Sequence, residues 1–291
     1  MKKVVRMLGL CALVALAFSA CNKKEGVTFT ASLTQPESSS RTHGESSQYR
    51  YYLVWDNGDE ITVINPSGTD SRNFELDYIH GDKKQATFWV DDPDKMAFLH
   101  YFTEGVYYAF YPNAVFDNAT QRVTMQVNRE QELVGGLTFA NQSYPMYGND
   151  SIRSRHFVFD SNIGFLVLQL TGPQFEPDGT SGTERYFTKV VLRAKNGVEI
   201  AGEVSYNYDA TDYQFNGTCD SIVNTSYAAE PIQTHWGENA EVTFIVPPIT
   251  LDGFEVIVYN GDTRVVRVET DATIEIEPRK YKVMDPPIII P

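Results

Sequence analysis

The sequence predicts an all-β protein made of two antiparallel β-sandwiches in series. From Tyr51 onward, short runs rich in Val, Ile, Thr, Tyr and Phe are separated at close intervals by turn residues, which is typical of antiparallel sheets. The 291 residues are enough for two ordinary β domains. The dipeptide Asn-Gly, whose residues tolerate positive φ, predicts several hairpins, at Asn57, Asn196, Asn216 and Asn260.

The first twenty residues are predicted to be an export leader that is removed from the protein. Met1–Ala20 begins with cationic residues, continues with an apolar run over 8–18 and ends with small residues. The tetrad Phe18-Ser19-Ala20-Cys21 resembles the bacterial lipobox, so cleavage is expected between Ala20 and Cys21, with acyl chains such as palmitate on Cys21. Two alternatives stay open: an ordinary secretory cleavage in which Cys21 plays no part, and a retained membrane anchor. The apolar run is shorter than the ~20 residues that a membrane-spanning helix needs.

A tether and one separate strand are predicted next. Residues 21–26 are polar, and Val27–Leu33 alternates apolar with small polar residues, as a half-buried strand does. Residues 35–48 are rich in Ser, with Pro and Gly, and predict an exposed loop that a protease can reach. The loop contains Arg41-Thr42, and Arg50 marks its far end.

The first sandwich is predicted over residues 27–150 and the second over 156–291, with a polar boundary at 149–155. Residues 164–170 are nearly all apolar and predict a strand buried on both faces. Residues 207–236 are long and polar and predict a surface excursion of the second domain. Besides 27–33, strands are predicted at 51–55, 60–65, 73–79, 85–90, 106–111, 122–127, 164–171, 186–194, 198–206, 242–246, 254–259, 264–269 and 273–277.

Charge and cysteine content restrict the partners. The chain has 24 Lys and Arg against 38 Asp and Glu, a formal net charge of −14, and the leader takes three more cations with it. Such a surface repels phosphate backbones, so nucleic acid is not an expected partner. Once the leader is removed and Cys21 is acylated, Cys219 is the only thiol left, and no intramolecular disulfide can form. The folded body must therefore be stabilised by burial.

The residue types that usually carry catalysis do not form a recognisable motif. The sequence has no His-Glu-x-x-His, no Gly-x-Ser-x-Gly elbow and no phosphate-binding glycine loop. We therefore predict no enzyme activity, no metal and no cofactor. Each histidine is expected to be a surface or hydrogen-bonded structural residue: His43, His80, His100, His156 and His235.

Acidic and aromatic clusters allow two further interpretations. Residues 56–60 and 91–94 are acidic but lack the twelve-residue spacing of a calcium loop, so turn chemistry and solvated charge explain them. Aromatic residues are densest at 51–52, 107–108 and 110–111, where a glycan-binding platform is conceivable. Alternation along a strand instead predicts that one residue of each pair packs in the core.

Several short motifs follow one another along nearly the whole mature chain. Arg41-Thr42 in the Ser-rich loop precedes Trp55-x-x-Gly58-Asp59-x-Ile61. The later members are Tyr108-Ala-Phe-Tyr111-Pro112, Pro145-Met146-Tyr147, the apolar run 164–170, Ile200-Ala-Gly202, Val246-Pro247-Pro248 and Glu277-Pro-Arg-Lys280-Tyr281-Lys-Val283. In this order the motifs resemble the fimbrillins, which are the type V pilin subunits and fimbrillin-like lipoproteins of Bacteroidia.

The resemblance implies a lipoprotein precursor that is carried to the outer membrane and folds as two transthyretin-like β-sandwich domains. An arginine-directed protease would remove its first strand by cutting between Arg41 and Thr42, with Arg50 as the second choice. Removal of that strand is expected to leave an apolar groove along a sheet edge, which a strand from the next subunit fills. Head-to-tail contacts with other fimbrial subunits would then build a fimbrium that supports adhesion.

Two points of the resemblance stay open. The family's donor strand is expected from the C-terminal region, but Pro286-Pro287 interrupts that region here, so a continuous donor could run only to about Met284. If neither arginine is cut, the chain would act as an anchor or as a monomeric surface lipoprotein that binds a host protein or glycan.

Overall fold

The computed structural model describes residues 27–35, 37–38, 53–90, 98, 104–112, 114–134, 138–139, 144–151, 153–225, 232–234 and 236–291. The prediction of an all-β fold is confirmed. The strands are β1 (Val27–Leu33), β2 (Glu37–Ser38), β3 (Glu60–Ile64), β4 (Ser71–Ile79), β5 (Gln85–Val90), β6 (Val106–Tyr111), β7 (Val115–Asp117), β8 (Arg122–Val127), β9 (Glu130–Gln131), β10 (Leu133–Val134), β11 (Thr138–Phe139), β12 (Met146–Ser151), β13 (His156–Asp160), β14 (Gly164–Thr171), β15 (Arg185–Phe187), β16 (Lys189–Ala194), β17 (Ala201–Asn207), β18 (Tyr213–Cys219), β19 (Ser221–Asn224), β20 (Ile232–Thr234), β21 (Ala240–Val246), β22 (Ile249–Asn260), β23 (Thr263–Ile276), β24 (Lys280–Val283) and β25 (Ile288–Ile289).

Seven strands close into a barrel in the order β1, β13, β12, β6, β3, β4, β5, and β5 pairs with β1 to complete it. Neighbouring strands are antiparallel except β1 and β13, which run parallel. Because side chains alternate between the two faces of a strand, each strand sends every second residue inward. Large aromatic side chains are among those buried in the first hydrophobic core, including Phe29, Phe74, Phe88, Tyr107 and Phe157.

The second core lies around β14. This strand pairs with β21 on one side and with β24 and β25 on the other, and β2 lies on the far side of β24. Seven of its eight residues are buried, which confirms the predicted strand with two buried faces. A second sheet, in the order β23, β22, β16, β19, β9, contributes Leu192, Val256 and other buried residues to the same core. Two small sheets are also present, β10 with β11 and β15 with β20.

Strands from distant parts of the chain form a sheet in the order β18, β17, β8, β7. It packs on the barrel through aromatic rings: Tyr206 of β17 has its ring centroid 6.0 Å from that of Phe110 and 5.4 Å from that of Tyr147. Val123 and Met125 of β8 are buried in the first core. The two halves of the sequence are therefore joined by main-chain hydrogen bonds as well as by packing.

The predicted arrangement as two sandwiches in series is not confirmed, because one sheet is a closed barrel. The polar residues 149–155 fall in the hairpin between β12 and β13, which are both barrel strands. β1 is also not an edge strand, since it has a partner on each side. The transthyretin-like description and the domain limits 27–150 and 156–291 stay predictions.

Candidate strand-binding groove

The first strand completes the barrel wall. β1 forms six register pairs with β5, from Val27 opposite Val90 to Ser32 opposite Gln85, and four with β13, from Thr30 opposite His156 to Leu33 opposite Phe159. If β1 were withdrawn, both β5 and β13 would lose a partner strand. The sequence had suggested that only a single strand edge would be exposed. We call the space that β1 occupies between β5 and β13 the β1 groove.

The inward face of β1 is apolar and tightly packed. Val27, Phe29, Ala31 and Leu33 are buried, and Phe29 is 1% exposed. The Phe29 ring lies 5.0 Å from the ring of Phe74 in an edge-to-face contact. It lies at the same 5.0 Å from the ring of Phe157, in a stacked contact. Such aromatic pairs stabilise beyond their buried area, so Phe29 contributes strongly to holding β1 in place.

One side chain of β13 lies within hydrogen-bond distance of the outward face of β1. His156 Nδ1 lies 2.8 Å from Thr30 Oγ1, and His156 Nε2 lies 3.1 Å from Ser32 Oγ. The His156 backbone N–H donates to Asp150 Oδ2 at 2.6 Å. The expectation of a hydrogen-bonded histidine is confirmed here. Its partners on β1 could not be predicted, because the pairing of strands so far apart in sequence leaves no local signal.

The end of β1 is anchored by backbone and amide hydrogen bonds. The Thr34 N–H donates to Phe159 O at 2.9 Å, which extends the contact with β13 by one residue. Gln35 Nε2 donates to Leu53 O at 3.1 Å, and Gln35 Oε1 accepts from the Leu53 N–H at 2.9 Å. Beyond this anchor, β2 pairs in parallel with β24, so Glu37 lies opposite Lys280. Residues 27–38 therefore bind to both the barrel and the sheet of β14.

Trp55 connects the two strands that flank the β1 groove. Its ring lies 5.0 Å from that of Phe88 on β5 and 5.5 Å from that of Phe159 on β13, both edge to face. The backbone N–H of Trp55 donates to Lys83 O at 2.8 Å. The tryptophan of the predicted motif is therefore part of the core next to the groove.

Asp59 is a buried carboxylate beside Tyr111, whose ring lies 5.4 Å from that of Trp55. Its Oδ1 accepts from the Tyr111 hydroxyl at 2.9 Å and its Oδ2 accepts from the Asp56 N–H at 2.7 Å. Burial raises the pKa of Asp59 to about 6, although both hydrogen bonds oppose the rise. The prediction that this acidic cluster is solvated charge is wrong for Asp59, which is 1% exposed. The turn prediction is confirmed, since Gly58 has a φ of 92° and the Asp59 N–H donates to Asp56 O.

The C-terminal segment is docked on β14 on both sides of its prolines. Tyr281 lies opposite Phe165, and Ile288 lies opposite Leu170. The Ile290 N–H donates to Thr171 O at 2.8 Å, and the Ile290 side chain is buried in the second core. We call residues 280–291 the C-terminal arm.

The predicted cleavage and lipidation residues lie outside the described residues: Ala20, Cys21, Arg41, Thr42 and Arg50. The same holds for His43, His100, His235 and the acidic residues 91–94. His80 is described, and its Nε2 lies 3.1 Å from Thr87 Oγ1.

No cluster of three or more His, Cys, Asp or Glu with metal-binding geometry occurs in the described part of the chain. Within the same residues, no helix is long and apolar enough to cross a bilayer.

Of the dense aromatic positions, Tyr107, Phe110 and Tyr111 are buried, and Tyr108 is half-buried with its ring 5.8 Å from that of Tyr208. The prediction that one residue of each pair packs in the core is confirmed for 107–108, whereas at 110–111 both residues are buried. Tyr51 and Tyr52 lie outside the described residues.

Comparison with known proteins identifies the fold. No family model and no curated protein matches the chain. Among solved structures, a candidate cell adhesion protein from Bacteroides ovatus ATCC 8483 has a TM-score of 0.54 over 87% of this chain and 88% of that chain, at 12% identity. This chain therefore has the fold of a Bacteroides candidate cell adhesion protein.

Two other solved structures resemble the chain less closely. A candidate cell adhesion protein from Bacteroides uniformis ATCC 8492 has a TM-score of 0.46 over 84% of this chain and 85% of that chain, at 15% identity. A fimbrial protein from Bacteroides ovatus ATCC 8483 has a TM-score of 0.39 over 92% of this chain and 49% of that chain, at 13% identity. The structural neighbours of the chain are thus cell adhesion candidates and fimbrial proteins.

Proposed function

We propose that this chain is a fimbrillin-like lipoprotein that serves as a structural or accessory fimbrial subunit and is assembled by strand exchange after proteolysis. The observation that carries the proposal is the placement of β1, which completes a barrel and precedes the arginine-bearing loop in sequence. The fold shared with a candidate cell adhesion protein supports a role at the cell surface and in adhesion.

Export and anchoring are the first step of the proposal. The leader is removed before Cys21, and acylation of Cys21 tethers the folded body to the outer membrane. Several acyl chains on one residue bind far more firmly than a single chain, which gives only marginal binding. The tether 21–26 then places β1 close to the membrane surface.

Cleavage after Arg41 is the second step, with Arg50 as the alternative position. Either cut separates residues 27–38 from the rest of the chain, so β1 and β2 leave together. Loss of β1 opens the barrel between β5 and β13, and loss of β2 frees the outer edge of β24. One cut would therefore change two sheets and would also release the lipid.

Refilling the groove is the driving force for assembly. The pockets of Val27, Phe29 and Leu33 are apolar, and burial of side chains of that size stabilises by about 1.5–3 kcal/mol each. Unpaired main-chain groups along β5 and β13 add to the cost of an empty groove. A strand from another subunit restores both the apolar contacts and the main-chain hydrogen bonds, and such a contact is head-to-tail because the inserted strand and the groove are different surfaces.

A monomeric glycan-binding lipoprotein is the weaker proposal. The aromatic side chains that suggested it at 107, 110 and 111 are buried and cannot stack on a sugar. Structural neighbours that are adhesion candidates and fimbrial proteins support a non-enzymatic role.

The test is intact-mass measurement and gel analysis of the protein from its native envelope. We expect a form that begins at Thr42 and SDS-resistant multimers that contain this chain. Arg41→Ala should retain residues 21–41 and the lipid, whereas the matched Arg50→Ala should be processed normally. A wild-type chain that stays full-length and monomeric in the presence of the arginine-directed protease would exclude assembly.

A further inference from the structure

We propose that the β1 groove is built for a strand from a different kind of subunit, because it selects residues that the C-terminal arm of this chain does not have. The selection is made by a small inward pocket at Ala31 and by His156 on the outward side. The inference rests on the proposed function and specifies its partner.

The inward side sets the first requirement. β1 presents Val27, Phe29, Ala31 and Leu33 to the core, so a replacement must offer four apolar residues at alternate positions, with a small third residue. Ala31 is fully buried between its register partners Ala86 and Phe157, which are fully buried too. A larger side chain at this position would have to displace packed atoms, which is destabilising.

The outward side sets the second requirement. Both ring nitrogens of His156 lie within hydrogen-bond distance of hydroxyls two residues apart, on Thr30 and Ser32. A hydroxyl both donates and accepts, so a pair of hydroxyls suits either tautomer of the ring. An apolar pair would leave two half-buried nitrogens without these partners. His156 is thus a positioning residue for the strand in the groove.

The C-terminal arm, even when extended back to the end of β23, fails the first requirement in every register. Between β23 and the last isoleucine, residues 277–290 offer each possible seven-residue window as a replacement for β1. In each window, at least one of the four inward positions falls on a charged residue or a proline. For example, placing Tyr281 and Val283 in the first two pockets puts Asp285 and Pro287 in the other two.

The arm is also held in its own molecule. Met284 N–H donates to Val167 O at 2.9 Å, and Arg185 Nε donates to Pro291 O at 2.9 Å. Ile290 is fully buried. Withdrawal of the arm would therefore uncover β14 and part of the second core. The C-terminal arm is therefore not the strand that refills the groove, and the partner is a protein with an extended strand that is apolar at alternate positions and carries hydroxyls opposite His156.

The selection by His156 is tested in the full chain, with β1 itself as the ligand of the groove. Thr30→Val with Ser32→Ala should lower the folding equilibrium constant by about tenfold, measured by urea unfolding. In a His156→Ala background the same pair should cause a clearly smaller loss, limited to the hydrogen bond that the Thr30 hydroxyl donates to Arg155 O at 3.3 Å. Arg122→Ala is the control, because the Arg122 side chain donates to Asp212 and Ser205, at the sheet of β8, β17 and β18, and neither partner lies on β1. In the control background, Thr30→Val with Ser32→Ala should still lower the folding equilibrium constant by the full factor, so that the effects of the two changes multiply. The same full decrease of the folding equilibrium constant in the His156→Ala background would overturn the role of His156.

The identity of the partner is tested with purified chain cut by the arginine-directed protease, after the released segment is removed in mild denaturant. A labelled peptide with the sequence 27–33 should bind at least ~30-fold more tightly than a peptide of residues 279–290, and the cut chain alone should stay monomeric. Equal binding of the two peptides, or SDS-resistant multimers of the purified chain alone, would refute the proposal. Multimers that form in the native envelope but not with the purified chain would support both proposals. A chain that the protease does not cut would count against the proposed function, and the urea experiment would then decide the role of His156.

Discussion

At the scale of single residues, burial changes the chemistry that the sequence suggests. Asp59 belongs to an acidic turn whose local sequence indicates solvated charge, yet the barrel encloses its carboxylate beside Tyr111. Burial disfavours the charged form of a carboxylate, and this is why its pKa rises to about 6. The consequence is a stability that depends on pH.

We expect the contribution of Asp59 to the stability of the protein to be lost as pH rises from about 4 to about 6. In the unfolded chain Asp59 loses its proton near the ordinary pKa of 3.8, whereas in the folded chain it keeps the proton up to a pKa of about 6. The stability contributed by the protonated carboxyl is therefore fully present below pH 3.8 and is lost as the pH rises through the folded pKa. A shift of about two pKa units corresponds to about 3 kcal/mol at 1.36 kcal/mol per unit. Urea unfolding at pH 4 and pH 7 should show a smaller difference for Asp59→Asn than for wild type. Identical pH profiles would show that Asp59 is not responsible.

Phe29→Ala should destabilise the protein by about 3–5 kcal/mol, because it removes a fully packed ring from the barrel core. Denaturant unfolding measures the effect. Thr28→Ala, at the exposed neighbouring position on the same strand, is the control and should change stability by less than about 0.5 kcal/mol. A small effect of Phe29→Ala would mean that β1 contributes little to the barrel.

At the scale of elements, local patterns located strands better than they located turns. The predictions at 27–33, 106–111, 122–127 and 164–171 match β1, β6, β8 and β14, because alternation and β-branched or aromatic content are local properties. Residues 207–236 were predicted to be a surface excursion. That prediction is wrong for β19, which is largely buried and pairs with β16 and β9. β18 is an edge strand that pairs with the preceding strand β17 and has no buried residue.

The Asn-Gly signal gave mixed results. Asn260-Gly261 forms the hairpin between β22 and β23, as predicted. Asn196-Gly197 forms a turn with positive φ at both residues, but it joins strands of two different sheets. Asn216-Gly217 lies inside β18, where it pairs with β17. A dipeptide that tolerates a turn does not require one when neighbouring strands offer hydrogen bonds.

The pairing of β2 with β24 should protect the start of the C-terminal arm. Glu37→Pro with Ser38→Pro removes both N–H groups of β2, and the amides of residues 280–283 should then exchange hydrogen on the order of tenfold faster. The amides of 27–33 serve as the internal control and should be unchanged. Unchanged exchange at 280–283 would mean that β14 alone holds β24.

At the scale of the whole molecule, two hydrophobic cores are joined by strands that cross between them. β8 pairs with β17 and β9 pairs with β19, both from the second half of the chain, and β2 pairs with β24 near its end. Residues 27–38 therefore contact both halves. This is the physical reason why removal of one short N-terminal segment is proposed to affect the barrel and the C-terminal arm together.

Cys21→Ser should abolish membrane attachment without changing the folded body, because the tether 21–26 precedes the first barrel strand. Detergent phase partitioning of the native-envelope protein and its intact mass measure the effect. Lys23→Ser in the same tether is the control and should leave attachment unchanged. A wild-type mass without acyl chains would contradict the lipoprotein prediction.

The sequence by itself determined the all-β class, most strand positions and the motifs of the resemblance, because these depend on the alternation and composition of short segments. Only the tertiary structure decided that the barrel closes, that β1 runs parallel to β13, and that His156 meets Thr30 and Ser32. Pairing between strands more than a hundred residues apart depends on which apolar faces bury each other best. That choice is made by the whole chain and is not encoded in any one segment.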